Sequence, residues 1–573
     1  MSTNKRWLVA PGAPKDFAEK FPELNPLTLQ LLYNRGIDTQ EKVDEFLNPD
    51  YGENLHDPFL FADMDKAVKR ILQAIENKEK MVVYGDYDAD GVTSAVVLME
   101  TFKNLGADAE VYIPYRETEG YGLNKAAARE LVKKRVKLVV TCDCGISNAE
   151  EVDILNQGGV DVIVTDHHHE PLKLPQAFAL INPHLSREKY PFKFLAGCGV
   201  AYKLVQAVLR KHEAYQVNQL TEGWEKWLLD LVAIGTIADL QEIMGENRVL
   251  VKYGLIVLQK TRRLGLRELC KAMGGEPNAL DERSVGWQIA PRLNAAGRMN
   301  HASTAYELLI TADQAEAEKL AAELNQTNRD RQQMTDKIAT EAANILGAVK
   351  DQKLLIVVGD GWMTGVVGLV SGRLTDQYHR PSLVISRYNG EIIGSGRSIP
   401  EFNIIEAVEK GAEFLTRFGG HGQACGFTIK NEAALQGFIK KMTELAEAEL
   451  NDKALAPILD IDAAATLEEI TWLFFEELEK FIPFGEGNPK PIFLARDLTV
   501  TDFQSVGNDG KHLRLMVKHH TAAIRKTIGF CFGSWCAKIK KGDKLDMVFE
   551  VDVNEWNGNR ELQLKIVDLK LNP

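Results

Sequence analysis

The stretch VVYGDYDADGVTSAVV, Val82 to Val97, decides the fold. It sets Asp86, Asp88 and Asp90 on alternate positions and follows them with Gly91, which is how an EF-hand calcium loop begins. Such a loop needs a bidentate Glu at its twelfth position and a helix leading in. Here the twelfth position is Val97, and what leads in is MVVY, a β-branched apolar run that reads as a buried strand. The stretch is therefore a strand that ends in clustered acids, with a helix expected from about Val92. In open α/β sheets such strand ends are where ligands bind.

The same pattern recurs downstream. MVVYG, AEVYIP, KLVVT, DVIVT and FALIN are short β-rich runs separated by helical stretches such as LNKAAARELVKKR and SNAEEVDILNQ, which predicts a parallel sheet with crossover helices. KLVVT runs into CDCG and supplies Asp143. DVIVT runs into DHHHE and supplies Asp166, His167 and His168, while LVAIGTIADL delivers Asp239 from a helix end. All C-terminal strand ends of a parallel sheet open on one edge, so Asp88, Asp90, Asp143 and His167 are expected to converge. Carboxylates and an imidazole at such range cannot all keep their charge states without cations. Two divalent ions resolve the repulsion, and a mixed O and N donor set suits Mn²⁺ or Mg²⁺ better than structural Zn²⁺. Taken singly, a strand-end Asp serves equally well as a helix N-cap and a lone His as a satisfied core residue. The recurrence is what favours metal.

Composition sets the outer limits. A chain of 573 residues exceeds one core and predicts three or four domains. At 45% hydrophobic and 26% charged it reads as an ordinary globular protein. The start MSTNKRWLVAPGAPKD lacks an apolar signal core, and no apolar run approaches the ~20 residues of a membrane helix, so a cytoplasmic protein without membrane contact is expected. Seven cysteines, with Cys142 and Cys144 as the close pair, fit reduced thiols. A net charge of −13 argues against general affinity for nucleic acid, which leaves local clusters to decide. Residues 1–60 read as a helical segment, 61–283 as the first α/β domain, 284–350 as a connector, 351–452 as a second α/β domain and 453–573 as a β domain. Within the connector, 312–347 form one long polar helix with a thin apolar stripe. The β domain carries an Asn557-Gly558 hairpin turn and predicts a small barrel. Its segment KHLRLMVKHHTAAIRK has five Lys or Arg and no acid, with His512, Arg514, Lys518 and His520 on one strand face and Leu513, Leu515 and Val517 on the other. A basic strand face on a barrel can track single strands, although charge runs are usually just solvated faces. Trp535 and Trp556 are expected in the barrel core.

These motifs resemble the DHH phosphoesterase superfamily, whose namesake motif stands here as Asp166-His167-His168. Across nearly the whole chain the layout resembles the RecJ single-stranded-DNA-specific 5′ exonucleases. The resemblance rests on DYDADGVTSA, TCDCGIS, VTDHHHE, IGTIADL, YRETEGYGL, INPH, GCGVAYKL and QIAPRLNAAGRM, then GSGRS and FGGHGQACGF in the second block, and FIPFGEGNPKP before the barrel. It implies a parallel-sheet DHH domain, a DHH-associated α/β domain joined to it by the long helix, and a C-terminal OB-type barrel. It also implies Asp88, Asp90, Asp143, His167 and Asp239 as ligands of two Mn²⁺ or Mg²⁺ ions, with Asp143 bridging, Asp86 catalytic and His168 on the scissile phosphate. Two departures stand out. Tyr84 occupies a position where some DHH phosphoesterases carry a His, which predicts weak binding of one ion until substrate arrives. Trp362-Met363 replaces the Trp-His of many relatives and receives no role.

Candidate phosphate contacts follow. Arg292 and Arg298 in PRLNAAGR flank a Gly/Ala-rich segment, expected as a loop, and would neutralise developing charge, Arg292 as a catalytic group and Arg298 with Asn294 as substrate-binding ones. Salt bridges between domains are the other use for such arginines. The Gly-rich FGGHGQ, with His421, suits a tight turn or a loop pressed against a nucleotide backbone. By the resemblance, Arg116 on one wall and Ser395 and Arg397 on a Gly-flanked loop of the other close around a terminal 5′ phosphate, and Arg514 and Lys518 hold the strand on the barrel. The expected activity is 5′ to 3′ hydrolysis of single-stranded DNA in bacterial repair and recombination, by a monomer. A single-stranded-DNA-binding protein and a RecQ-type helicase are partners the resemblance implies. The alternatives are a DHH phosphodiesterase for short oligonucleotides, cyclic dinucleotides or polyphosphate, and a non-catalytic binding protein of the same fold.

Overall fold

The computed structural model describes residues 5–212, 220–349, 351–453, 455–519, 524–556 and 558–572. The chain forms two units, one made of His56–Asp239 and Tyr253–Ala456, the other of Met1–Leu55, Leu240–Lys252 and Pro457–Pro573.

The first unit opens with a parallel five-stranded sheet in the order Ala109–Tyr112, Met81–Gly85, Leu138–Cys142, Asp161–Thr165, Ala179–Ile181. Met81–Gly85 and Leu138–Cys142 are buried along their whole length, as strands covered on both faces must be. Val82, Tyr84, Val139, Val162 and Val164 pack against Ala127, Leu131, Val152 and Leu155 of the helices Lys125–Lys133 and Ala149–Gln157. The helix Ala89–Asn104 packs on the Met81–Gly85 strand and against the helices Gly197–His212 and Leu229–Ala238, and it is buried nearly all round. The chain's first strand here sits second in the order. The connection from it leads to one side and that from Leu138–Cys142 to the other, so the crevice between Met81–Gly85 and Leu138–Cys142 is the topological switch point where such sheets bind ligands.

Several local expectations change. The helix after the acid cluster begins at Ala89, not near Val92, because the Asp88 side chain accepts from the backbone N–H groups of Asp90 and Gly91, both at 3.0 Å, and caps it. Asp90 therefore sits inside the first helical turn. The segment PRLNAAGR is not a loop but part of the helix Ala290–Met299, with proline in its first turn. The long helix runs Gln314–Leu346, about 50 Å at 1.5 Å per residue. Its first half buries Ala317, Leu320, Ala321 and Leu324, and its second half buries Ile338, Ala339 and Ala342, so the thin stripe belongs to two cores in succession.

The second block is a mixed sheet in the order Leu415–His421, Ala424–Ile429, Glu391–Arg397, Ser382–Tyr388, Leu355–Asp360, parallel only between the last two. GSGRS lies on the strand Glu391–Arg397 rather than on a loop. FGGH likewise ends the edge strand Leu415–His421, exposed beyond Leu415, with His421 paired to Ala424.

In the other unit, Ile492–Val506, His512–Lys518, Arg525–Gly529, Asn559–Leu571 and Lys544–Trp556 pair in turn, and Lys544–Trp556 pairs back to Ile492–Val506, which closes a barrel. Leu513, Leu515 and Val517 fill its interior while Arg514 and Lys518 are exposed, as the alternation predicts. Trp535 packs against that core only in part and has Lys538 over its ring. His520, Asn557 and the side chain of Trp556 lie outside the described residues. The N-terminal segment is not purely helical. Arg6–Val9 is a strand paired in parallel with Ile458–Ile461, and Phe17, Phe21, Leu31, Leu32 and Phe46 join the same apolar cluster as the barrel interior.

Tyr84 faces away from the sheet's acidic edge. It is fully buried, stacks on Tyr112 at 5.0 Å, and its hydroxyl donates to the carbonyl of Gly122 at 3.0 Å. The position contributes packing and a buried hydrogen bond rather than a ligand. Tyr84→Phe should lower unfolding free energy by about 1–3 kcal/mol in chemical denaturation. Loss of divalent-cation affinity in a variant that is otherwise as stable as the parent would place the residue at the ion site after all.

Candidate metal and phosphate site

The acidic edge gathers side chains from three strand ends and one helix end. Asp86 and Asp88 follow Met81–Gly85, Asp143 follows Leu138–Cys142, His167 and His168 follow Asp161–Thr165, and Asp239 caps the C-terminus of Leu229–Ala238. Three sets of donor atoms lie within 4.8 Å of one another: Asp86, Asp88 and Asp143; Asp90, His167 and Asp239; and Asp143, His167 and His168. Asp143 and His167 each belong to two of them. His167 Nε2 is 3.1 Å from Asp143 Oδ1, 3.6 Å from Asp239 Oδ2 and 4.0 Å from Asp90 Oδ2.

The electrostatics of this cluster fit cations. Burial, and then repulsion by Asp90, Asp88 and Asp239, pushes the Asp143 carboxyl well above its usual range, and burial with Asp88 does the same to Asp86. Burial lowers His167, which keeps its imidazole neutral and able to offer a lone pair. Among the described residues, Asp143 Oδ1 and Asp86 Oδ1 are both buried and accept no hydrogen bond. Carboxylate oxygens sealed together without donors are costly unless a cation neutralises them. The residues present therefore fit divalent cations, which Asp88, Asp90, Asp143, His167 and Asp239 would hold.

Further groups hold this arrangement in place. Asp90 accepts from the backbone N–H groups of Gly197 and Cys198 at 2.7 and 2.9 Å, and Asn182 donates to the His168 carbonyl at 2.8 Å. Fully buried Asp166 accepts from His168 Nδ1 at 2.7 Å and from the backbone N–H of Ile146 at 2.9 Å. Burial alone would lower His168, but its bond to Asp166 outweighs that and holds it up at about 9, so this half-exposed imidazole is a cationic donor at neutral pH. The Tyr121 hydroxyl lies 3.0 Å from His168 Nδ1 and 3.2 Å from the Asp143 carbonyl. Asp166, Asn182 and Gly197 were visible in the sequence only as motif members, since their work is done through backbone and neighbouring side chains.

Asp86, Asp88, Asp143, His168 and Asp239 line a cavity of about 300 Å³ together with Asn294, Arg298, Arg116, Tyr87 and Tyr121. Asn294 Oδ1 accepts from the backbone N–H of Ala89 at 2.8 Å, locking the helix Ala290–Met299 to the acid loop. A second cavity of about 430 Å³ shares Tyr87, Arg116, Tyr121 and Arg298, and continues over Gly394, Ser395 and Arg397.

Three family models match the chain: the DHH family, N-terminal domain, at 80–236, the DHHA1 domain at 351–448, and the RecJ OB domain at 461–568. The single-stranded-DNA-specific exonuclease RecJ of Bacillus subtilis is 39% identical over 95% of this chain and 68% of that protein. The Haemophilus influenzae protein of the same name is 30% identical over 95% of this chain and 96% of its own. The chain belongs to the RecJ family. A crystal structure of RecJ from Thermus thermophilus in complex with Mn²⁺ superposes with a TM-score of 0.83 at 28% identity, covering 100% of this chain and 80% of that one. The long helix and the closed barrel stand with the DHH and DHHA1 blocks as the parts of this RecJ-type fold.

Placed on that fold, the sequence-predicted residues divide into groups. The metal-site residues converge, and so do Asn294, Arg298, Arg116, Ser395 and Arg397. Arg298 is pressed down to about 10, first by burial and then by Arg116, and among the described residues it donates only to the Gly365 carbonyl at 3.3 Å. Arg116 lies over the Tyr87 ring at 5.0 Å. Arg292 and His421 do not line either cavity. Arg292 stands six positions before Arg298 on one helix, which turns it about 120° away, and its Nε donates to Asn325 Oδ1 at 3.0 Å. Arg514 and Lys518 lie on the barrel face.

Gly235 offers a way to disturb the cluster without replacing any of its donor residues. A Cβ there would come within 2.5 Å of Cys198 Sγ and 2.6 Å of Asp90 Oδ1 and Thr93 Oγ1. Gly235→Ala should therefore displace Asp90 and weaken Mn²⁺ binding by about 10–100-fold in calorimetric titration, with circular dichroism unchanged. Unaltered Mn²⁺ affinity would remove Asp90 from the ion site.

Proposed function

We propose that this chain hydrolyses single-stranded DNA as a divalent-metal-dependent exonuclease that starts at the 5′ end. The observation that carries the reading is the continuity of the acid cavity with one walled by Arg116, Arg298, Ser395 and Arg397. These guanidiniums make no ion pair among the described residues, their partners being carbonyls, a hydroxyl and a ring, so they stand ready for an anion. The RecJ proteins named above supply the substrate class, and the Mn²⁺ and Mg²⁺ forms of the Thermus thermophilus structure supply the ions.

Asp88, Asp90, Asp143, His167 and Asp239 would hold two Mn²⁺ or Mg²⁺ ions. When bound, such ions activate water and stabilise both the attacking and the leaving oxygen of an in-line displacement at phosphorus. The protein's own share is placement and charge. His168, fixed by Asp166 and cationic, donates to an oxygen of the scissile phosphate and carries part of the charge that builds there. Arg298 supplies a second positive group from the helix Ala290–Met299. Arg116, over the Tyr87 ring, and Arg397, with Ser395 beside it, close on the terminal phosphate from opposite walls. A terminal monoester carries more charge and one more free oxygen than an internal diester, and paired guanidiniums reward both. The exposed Arg514 and Lys518 of the barrel bind the backbone of longer strands. On the family resemblance the protein acts as a cytoplasmic monomer in bacterial repair and recombination, with a single-stranded-DNA-binding protein and a RecQ-type helicase as partners.

Digestion of single-stranded DNA labelled at either end should release the 5′ label first, in Mn²⁺ and not in chelator, and Asp143→Ala should abolish release while leaving the fold intact. Release of the 3′ label first would overturn the polarity. Arg397→Ala should cut the preference for 5′-phosphorylated over 5′-hydroxyl oligonucleotides by about 10–100-fold in kcat/KM, the worth of a charge-assisted contact. Discrimination equal to that of the parent would move the 5′ anchor elsewhere.

A further inference from the structure

The long helix holds a second group of arginines. Asn325 and Asn328 are buried on it, and each orients one guanidinium. Asn325 Oδ1 accepts from Arg292 Nε at 3.0 Å, and Asn328 Oδ1 accepts from Arg331 at 2.7 Å. Arg292 also donates to the Gln288 carbonyl at 2.8 Å, and Arg331 Nε is buried without a hydrogen-bond partner. Arg329, one helical turn beyond Asn325, is exposed. Among the described residues none of the three makes an ion pair. Asp336, whose charge reaches Arg331, is taken by Arg373, and neighbouring Asp330 accepts from Gln326. Burial, followed by the charges of Arg329 and Arg331, lowers Arg292, and Arg331 also acts on Arg298.

The choice of orienting group is informative. An Asp at 325 or 328 would fix a guanidinium and neutralise it, whereas an Asn fixes it and leaves the charge available. In a chain of net charge −13 there is no shortage of carboxylates that could have been used. Beside Gln288, Trp287 exposes 79% of its surface on a π-helical turn, Val285–Ile289. The bare indole stands one residue from Gln288, whose carbonyl holds Arg292, and adds a stacking face to the phosphate donors, the two elements of a single-strand track.

We propose that Arg292, Arg329 and Arg331, with Trp287, form a subsite for the phosphodiester backbone and a base of single-stranded DNA. It lies outside the acid cavity and holds nucleotides on the 3′ side of the scissile phosphate. The proposal rests on the reading of single-stranded DNA as substrate: if the 5′ end closes between Arg116 and Arg397, all remaining nucleotides leave in the other direction. Arg292 then acts in holding the strand, not at the reacting phosphorus.

The test is binding of 5′-phosphorylated oligonucleotides of increasing length at several KCl concentrations, with Ca²⁺ in place of Mn²⁺. Arg329→Gln combined with Arg331→Gln should flatten the log–log salt dependence for long strands by about 1.4, at ~0.7 per lost phosphate contact. Trp287→Ala should weaken long-strand binding about 5–100-fold, the range for a stacked base. Thermal unfolding should match the parent in both. If the double variant is destabilised, Arg329→Gln alone, at an exposed position, should still flatten the slope by about 0.7. An unchanged slope in a stably folded variant overturns the subsite. A parent protein that binds no single-stranded DNA overturns the substrate reading itself, so the two failures are distinct.

Discussion

Carboxylates forced together on one buried edge are the constraint around which the first unit is organised. Bringing Asp86, Asp90 and Asp143 out of water raises each of them, and neither Asp143 Oδ1 nor Asp86 Oδ1 is relieved by a donor among the described residues. Leaving such groups buried costs several kcal/mol unless cations neutralise them. The fold meets that cost with rigid, wholly buried strands on both sides of the switch point and with backbone N–H groups aimed at Asp90. Preorganisation of this kind means that the site's shape does not depend on the ions to create it.

Charge is apportioned in layers outward from that edge. Acids form the floor, an imidazole held by Asp166 stands over them, and arginines that make no ion pair among the described residues form the walls. A polyanion meets attraction at the walls and reaches the acids only at the point where bound cations invert their sign. The same sorting explains how a chain of net −13 can handle nucleic acid: the positive charge is not abundant but is left unneutralised where it is needed.

Much of this was legible in the sequence because a parallel sheet converts strand ends, which are local patterns, into a shared edge, which is tertiary. Asp88, Asp143 and His167 could be brought together on that rule alone, whereas Asp239 comes from a helix end. What misled was glycine. PRLNAAGR and GSGRS read as loops, yet they are helix and strand, and their glycines answer to close packing: a Cβ at Gly297 would sit 2.6 Å from the Tyr87 carbonyl, and one at Gly394 would sit 2.2 Å from the Phe427 ring. Those neighbours are far away in sequence, so no local signal separates a packing glycine from a turn glycine. Arg292 was misplaced for the same reason, since a loop can aim two arginines at one phosphate and a helix cannot aim positions six apart.

The shared core of the N-terminal segment and the barrel bears on how the protein is made. Trp7 Nε1 donates to Asp568, 561 residues later, and the backbone N–H of Asn25 donates to Glu477, 452 residues later. At synthesis rates of ~5–20 residues per second, the apolar side chains of Phe17, Leu31 and Phe46 leave the ribosome roughly 20–100 s before the barrel strands that cover them exist. This segment is thus buried long after it is translated, and for that interval the nascent chain carries an unsatisfied hydrophobic surface.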